Sequence, residues 1–308
     1  MTVAVVGAGA WGRNLVRTLH GMGRLHSVTE ASSEIRSKLH EEYPGLTIYE
    51  SLQTMLESDV VAVVVAVPAP FHFEVARSII ESGKDVFIEK PMVLRVPDGE
   101  ELVRLAEQHG RILMVGHLLI YQPAIRFIKE SIDEGLIGKI HSYHQDRLNL
   151  GRVRDVENVL WSFGVHDIAV LLYLVGDGPL RITAQGQSVL QKDIEDDVYV
   201  HMEFADGSQA HLHTSWLWPT LTRSLTVIGE TGMLVYDEVQ QRVVHHRKHI
   251  GKQLEAINLG EKTVFETEKK PLTIEMEHFI ECVTTRSRPV SDGRSAVEVL
   301  RVLEEAGR

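Results

Sequence analysis

The first part of the chain alternates short apolar runs with stretches of helical periodicity. The runs Val3–Val6 and Val60–Val67 are rich in valine and apolar almost throughout, as buried parallel strands are. The segments Gly12–His20 and Phe71–Glu81 repeat apolar residues at the spacing of an amphipathic helix. Alternating strands and helices predict an α/β Rossmann domain with a parallel sheet over residues 1–118.

From Tyr121 the pattern changes. Helices are predicted at Pro123–Glu134 and Val165–Val175, and several strand-like segments follow between Arg181 and Tyr236, joined by tight turns such as Asp206-Gly207. This order predicts an α+β domain with a mostly antiparallel sheet over residues 119–308. Two helices are expected to end the chain, and the last of them could pack back on the Rossmann domain.

Composition narrows the class of protein. A formal net charge of −11 over 308 residues argues against nucleic acid or a membrane surface as partner. We find no signal peptide and no apolar run of membrane-spanning length, so the expected location is the cytoplasm. The single cysteine, Cys282, excludes an intramolecular disulfide.

The motif Gly7-Ala8-Gly9-Ala10-Trp11-Gly12 follows the first strand and opens the first helix, as a dinucleotide-binding fingerprint does. Glu30, after the second strand, is placed to bind the ribose hydroxyls and repel a 2′-phosphate, so NAD is the predicted cofactor. Ser32, Ser33 and Arg36 keep NADP open as an alternative. The residues expected to contact the cofactor are Gly7, Gly9, Ala10, Trp11, Gly12, Arg13, Asn14, Glu30, Pro68, His72, Glu89 and Lys90.

Two further residues are candidates for catalysis. Lys90, in Glu89-Lys90-Pro91, follows a strand at the edge where open α/β sheets bind ligands, although a plain surface lysine is the alternative. His166 enters an apolar helix, where a structural core histidine is the alternative. His211 and His213 share one face of a strand but lack a third metal ligand, so no metal is predicted. The stretch from His245 to His249 is interpreted as a solvated loop.

These motifs, with Val67-Pro68, Gly116-His117 and Gly164-Val165-His166-Asp167, resemble the Gfo/Idh/MocA oxidoreductases over nearly the whole chain. The resemblance implies a Rossmann domain that binds NAD(P) and an open-faced sheet domain that shapes the substrate site and often the oligomer interface. It also implies that Lys90 and His166 act on a sugar hydroxyl, with either of them as the base. Ser162 stands where the family often has an aspartate, so no third catalytic acid is implied.

The stretches Gly116–Ala124, Arg147–Gly151 and Asn158–Phe163 are similar to one branch, the UDP-N-acetylglucosamine 3-dehydrogenases, although Gln122 replaces a frequent histidine. That branch implies NAD-dependent oxidation of a UDP-sugar for lipid A or surface polysaccharide, a downstream aminotransferase, and a homodimer or homotetramer. A dehydrogenase of the corresponding uronate or of free inositol is an alternative, as is a non-catalytic NAD-sensing regulator. The residues expected to bind substrate are Lys90, His117, Tyr121, Arg147, Asn149, Arg152, Arg154, Trp161 and His166, with the arginines holding the diphosphate.

Overall fold

The computed structural model describes residues 1–151, 153–267 and 270–307. The chain divides into two compact units. The first comprises Met1–Leu118 and Pro271–Leu300, and the second comprises Leu119–Lys270 and Arg301–Arg308.

The first unit contains a six-stranded parallel sheet with the strand order β3-β2-β1-β4-β5-β6. Its strands are β1 (Val3–Val6), β2 (Leu25–Thr29), β3 (Thr47–Tyr49), β4 (Ala62–Val65), β5 (Asp85–Glu89) and β6 (Leu113–Gly116). Its helices are α1 (Gly12–Gly21), α2 (Ser33–Glu42), α3 (Leu52–Leu56), α4 (His72–Glu81), α5 (Val96–His109) and α8 (Pro271–Thr285), and α9 (Gly293–Ala306) begins here. This is the Rossmann order, in which ligands bind where the connections diverge between β1 and β4. The predicted fold class is confirmed.

Local sequence explains most of these elements. All four residues of β4 are buried, as the valine run predicts. The Ser32 hydroxyl accepts a hydrogen bond from the Ile35 amide and so caps α2. Gly110 adopts the left-handed conformation that ends α5. Strand β3 and helix α3 are not among the sequence predictions, because elements of three and five residues give too little periodicity to detect.

The second unit contains an eight-stranded sheet with the order β14-β13-β12-β11-β7-β10-β9-β8. Its strands are β7 (Ile140–Leu150), β8 (Arg181–Gln187), β9 (Asp197–Glu203), β10 (Gln209–Ser215), β11 (Leu217–Gly229), β12 (Met233–Asp237), β13 (Arg242–Ile250) and β14 (Ala256–Glu266). Its helices are α6 (Pro123–Asp133) and α7 (Val165–Val175). Only β7 and β10 pair in parallel, so the sheet is mostly antiparallel, as predicted.

One face of this sheet is covered and the other is more open. In β9, the buried side chains Val198, Val200 and Met202 alternate with the exposed Tyr199 and His201. Such alternation is typical of a sheet that packs helices on one face only. Helix α7 packs against β7 and β10.

The prediction of a loop at His245–His249 is wrong, because these residues belong to β13. The sequence of β13 does not show the alternation that predicts a strand, because polar residues occupy both of its faces. Its neighbour, the edge strand β14, is largely exposed. None of the helices among the described residues is long and apolar enough to cross a membrane.

Candidate active site

The glycine loop between β1 and α1 has the geometry that its motif predicts. Gly7 has a φ of 91°, which a residue with a side chain rarely adopts. A Cβ on Gly12 would lie 2.1 Å from the Gly7 carbonyl oxygen, whereas a Cβ on Gly9 would meet nothing within 4 Å. The loop is therefore closed where helix and strand meet and open where a pyrophosphate would approach the helix terminus.

The other predicted residues of this loop lie at the start of α1. The Arg13 amide donates to the Gly9 carbonyl at 3.1 Å, and the Asn14 amide donates to the Trp11 carbonyl at 2.8 Å. Ala10 lies in the loop itself, and Pro68 follows β4 across the crevice. Their contacts with a cofactor stay predictions.

Glu30 is held in place after β2. Its carboxylate accepts hydrogen bonds from the Ala8 amide at 2.7 Å and from the Ser32 amide at 2.9 Å. The Arg36 guanidinium, which could have held a 2′-phosphate, donates to the Glu30 carbonyl and to the Glu50 carboxylate instead. This pocket therefore fits the ribose hydroxyls of NAD better than the phosphate of NADP.

Glu89 connects the glycine loop to the segment that carries Lys90. One oxygen of its carboxylate accepts a hydrogen bond from the Trp11 indole at 2.5 Å, and the other accepts one from the Lys90 amide at 3.3 Å. Burial raises the pKa of Glu89 to about 7, against the opposing effects of Trp11 and the charge of Lys90. The group next to Lys90 therefore titrates near neutrality.

His72, which is predicted to contact the cofactor, is held by two backbone carbonyl groups of the first unit. Its ring is buried, with Nδ1 2.8 Å from the Pro91 carbonyl oxygen and Nε2 2.8 Å from the Val67 carbonyl oxygen. Burial lowers the pKa of His72, and the neutral ring can donate to one of these carbonyls at a time. His72 thus joins the end of β4 to the Lys90-Pro91 segment, and its ring nitrogens are directed at protein atoms.

His117 follows β6 and belongs to the same unit as Lys90. It is 2% exposed, and neither ring nitrogen has a hydrogen-bond partner among the described residues. Burial, and to a smaller extent the charge of Lys90, lowers its pKa to about 4. A neutral, buried imidazole with two unsatisfied nitrogens is suited to binding a polar ligand, as predicted for the substrate.

His166 is the second residue of α7 in the second unit, where the sequence places it. The adjacent Asp167 is fully buried and accepts hydrogen bonds from Gln145 Nε2 at 2.5 Å and from Arg147 Nε at 2.7 Å. Burial raises the pKa of Asp167 to about 6, although Arg147 opposes the shift. Both oxygens of Asp167 lie within hydrogen-bond distance of Arg147 Nε, so this carboxyl group is paired with a cation.

Arg147, which is predicted to bind the substrate diphosphate, lies in a buried ion-pair network. It lies within β7 and is 6% exposed. Its guanidinium group bridges the carboxylates of Asp167 and Glu238, with Nη2 2.7 Å from Glu238 Oε2. Both of its polar edges contact carboxylates of the same unit. The structure thus assigns Arg147 to a buried ion-pair network, a poor position for binding a diphosphate.

The other predicted substrate residues vary in exposure. Tyr121 is fully buried, with the Arg126 guanidinium 5.1 Å from the centre of its ring. Asn149 at the end of β7 and Trp161 in a π-helical turn are half-buried, and the exposed Arg154 lies 3.8 Å from Glu157. Arg152 lies outside the described residues. Gln122, at the position of a frequent histidine, is buried and accepts a hydrogen bond from Tyr236 at 2.8 Å.

The histidine pair of β10 does not form a metal centre in the described part of the chain. His211 Nδ1 lies 2.6 Å from His201 Nδ1, and His213 Nε2 lies 3.2 Å from Asp197 Oδ1. No three histidine, cysteine, aspartate or glutamate residues of the described ranges come together as metal ligands.

Comparison with protein families identifies the class. Residues 1–117 match the model of the oxidoreductase family with an NAD-binding Rossmann fold, and residues 125–235 match the Gfo/Idh/MocA C-terminal domain. The chain therefore belongs to the Gfo/Idh/MocA oxidoreductase family, and NAD is the cofactor of its first domain. The resemblance drawn from the sequence motifs is confirmed.

Relatives within the family differ in what they catalyse. The chain is 29% identical to 2,7-anhydro-N-acetylneuraminate hydratase of Mediterraneibacter gnavus, over 70% of this chain and 62% of that protein. It is 22% identical to UDP-N-acetylglucosamine 3-dehydrogenase of Acidithiobacillus ferrooxidans, over 97% of this chain and 94% of the relative. The matches to the first two relatives span only 62% and 59% of their lengths.

Solved structures share the fold over the full chain. The Acidithiobacillus ferrooxidans dehydrogenase, GnnA, superposes with a TM-score of 0.89 at 22% identity, covering 99% of this chain and 96% of that one. The WlbA dehydrogenase of Bordetella pertussis, solved with NADH and UDP-GlcNAcA, superposes with a TM-score of 0.81 at 20% identity, covering 100% and 96%. At these identities the likeness extends to the fold alone.

Proposed function

We propose that the protein oxidises the C3 hydroxyl of a UDP-sugar with NAD, most simply UDP-N-acetylglucosamine to its 3-keto form, as a step towards 3-amino sugars. The surroundings of Lys90 carry this proposal. Lys90 follows a strand of an NAD-binding sheet and lies beside a glutamate that titrates near neutrality and a neutral buried histidine. A lysine in this environment is suited to handling a proton next to a nicotinamide.

The match to UDP-N-acetylglucosamine 3-dehydrogenase supports the choice of substrate, because it spans 97% of this chain and 94% of the relative. The hydratase match spans only 62% of that relative. A uronate of the same nucleotide sugar is the second candidate, because the same fold binds UDP-GlcNAcA in the WlbA complex.

When bound, NAD supplies the acceptor for the hydride that leaves the sugar carbon. Lys90 and His166 are proposed to hold the hydroxyl, and one of them removes its proton. His117 is proposed to form a hydrogen bond with the sugar through a ring nitrogen that has no partner among the described residues. Because Arg147 is engaged by carboxylates, Asn149 and Arg154 are the described residues that we retain as candidates for the nucleotide diphosphate.

The test follows NADH formation with UDP-N-acetylglucosamine, its uronate and free myo-inositol. The variants Lys90→Ala and His166→Ala should bind NADH like the parent but lose turnover by about 10² to 10⁴, as for removal of a general base. Lys38→Ala and His141→Ala are matched controls, since both side chains are exposed. They should turn over like the parent.

The outcomes separate the candidate functions. Faster oxidation of the uronate or of inositol would move the assignment to that substrate. NADH binding without oxidation of any sugar would favour an NAD-sensing regulator. If Lys90→Ala and His166→Ala both keep parental turnover, the catalytic assignment is wrong.

Two partners belong to the proposal. A 3-keto product would be the substrate of a downstream aminotransferase. The open face of the second sheet, with exposed Tyr199 and His201, is proposed to form the interface of a homodimer or homotetramer. Light scattering of the parent and of Tyr199→Glu would test the second point, and a parental monomer would refute it.

A further inference from the structure

The face of β5 that carries Glu89 lies against helix α8 and the residues that follow this helix. In a strand, Asp85, Phe87 and Glu89 lie on the same face. Asp85 pairs with Arg286 at 2.6 Å, and the Phe87 ring lies 5.7 Å from the Phe279 ring. Glu275 lies one turn before Phe279 on the same helix face, and its carboxyl group interacts electrostatically with that of Glu89.

Glu89 and Glu275 are thus two acids that face each other's charge, whereas Asp85 at the other end of the face pairs with a base. Glu275 is 1% exposed and Glu89 is 9% exposed. Glu275 Oε1 has no hydrogen-bond partner in the part of the chain that the structure describes. A buried carboxylate without a donor is strongly disfavoured, whereas a protonated carboxyl group can donate to a neighbouring carboxylate.

The charge that acts on the Glu275 carboxyl group is that of Glu89, and α1, which packs against α8, carries the half-buried Arg13 and the exposed Arg17. Lys90 is the cation that acts on Glu89, together with the neutral Trp11 donor from the glycine loop. The neighbouring strand β4 contains only alanine and valine, β6 has no charged residue, and His117 after β6 is kept neutral. Arg286 is engaged by Asp85 at the far end of the face. Burial raises the pKa of Glu275 well above its ordinary value, and Glu89 adds to that shift.

We propose that Glu89 and Glu275 form a buried carboxyl pair that retains one proton, so that Lys90 faces at most one negative charge. Glu275 is then a positioning residue that acts on Lys90 through Glu89. With both acids ionised, two negative charges would hold the lysine proton and weaken Lys90 as an acceptor. The effect on turnover rests on the proposed dehydrogenase function, whereas the shared proton does not.

The first measurement needs no substrate. Infrared spectra of the NADH complex should show the carbonyl stretch of a protonated carboxyl group at neutral pH. Glu275→Gln should remove that band, and Glu277→Gln, which alters an exposed acid on the same helix, should keep it. Absence of the band from the parent would refute the shared proton even if no variant folds.

The second measurement is the pH profile of kcat. Glu275→Gln should keep NADH affinity and the sugar KM within about twofold, and it should remove an alkaline ionisation from kcat, because only one acid is left to ionise. Glu275→Met, which offers no donor to Glu89, should lower kcat on the order of tenfold without changing NADH affinity. If Glu275→Gln loses the infrared band but the pH profiles of kcat for Glu275→Gln and Glu275→Met both match that of the parent, the positioning of Lys90 by Glu275 is refuted. If no sugar is turned over, the proposed function fails, and the infrared result still decides whether the proton is shared.

Discussion

Replacing Arg147 by methionine tests whether this residue stabilises the fold or binds the substrate. The arginine pairs with Asp167, whose side chain is 0% exposed, and with Glu238, whose side chain is 11% exposed. Methionine fills much of the same volume but leaves both carboxylates without this cation, although Arg223 still lies 3.3 Å from Glu238. Removing one partner of a buried ion pair costs about 3 to 5 kcal/mol.

The assay is thermal and urea unfolding followed by tryptophan fluorescence, which reports on the buried Trp216 of the second unit. For a unit of this size, the expected loss lowers Tm by about 6 to 20 °C. Arg154→Met, at an exposed arginine, is the matched control and should change the unfolding free energy by no more than about 0.5 kcal/mol.

A double variant separates the contribution of the buried charge to stability from that of side-chain packing. In Arg147→Met combined with Asp167→Asn, the fully buried negative charge is gone, so much of the lost stability should return. The reasoning is refuted if Arg147→Met unfolds like the parent and instead raises the KM for the UDP-sugar. That result would return Arg147 to diphosphate binding, as its sequence neighbourhood first predicts.

Three other predictions concern the first unit. Gly12→Ala should abolish NADH binding or folding, because its Cβ would lie 2.1 Å from the Gly7 carbonyl oxygen; parental affinity by fluorescence titration would contradict this. Glu30→Ala should weaken NADH binding by about 10- to 100-fold, and tighter binding of NADPH than NADH by the parent would contradict the assignment of Glu30. The pKa of Glu89 rises from 4.5 to about 7 on folding, so the folded state holds the proton of Glu89 more tightly than the unfolded state does. The unfolding free energy should therefore fall as the pH rises through this interval. Glu89→Gln should remove up to about 3 kcal/mol of that decline in urea titrations, and an unchanged pH slope would count against a raised pKa.

Local signals explain which parts of the fold could be predicted. The buried strand β4 is a run of valines, and α2 and α5 are delimited by Ser32 and Gly110. These signals depend on neighbouring residues alone. Strands β13 and β14 could not be found in this way, since a strand with polar residues on both faces has no clear period of two.

The residues of the candidate site also fall into those that local sequence predicts and those that depend on distant partners. The glycine loop, Glu30 and Lys90 follow strand ends, so their sequence positions predict where they lie. The ion pairs of Arg147 could not be predicted because its partners are distant in sequence, with Asp167 20 residues away and Glu238 91 residues away. An arginine near a predicted loop looks like a ligand residue until its partners are known.

Glu275 shows that long-range packing next to Lys90 could not be predicted from the sequence either. Its helix pattern predicts only a buried face, and a glutamate on such a face normally needs a basic partner. The register against β5 instead aligns it with Glu89, and the pairs Asp85–Arg286 and Phe87–Phe279 make that register specific. The motif Glu89-Lys90-Pro91 can therefore point to a candidate lysine, but the charge next to that lysine depends also on Glu275, in a helix from the other end of the sequence.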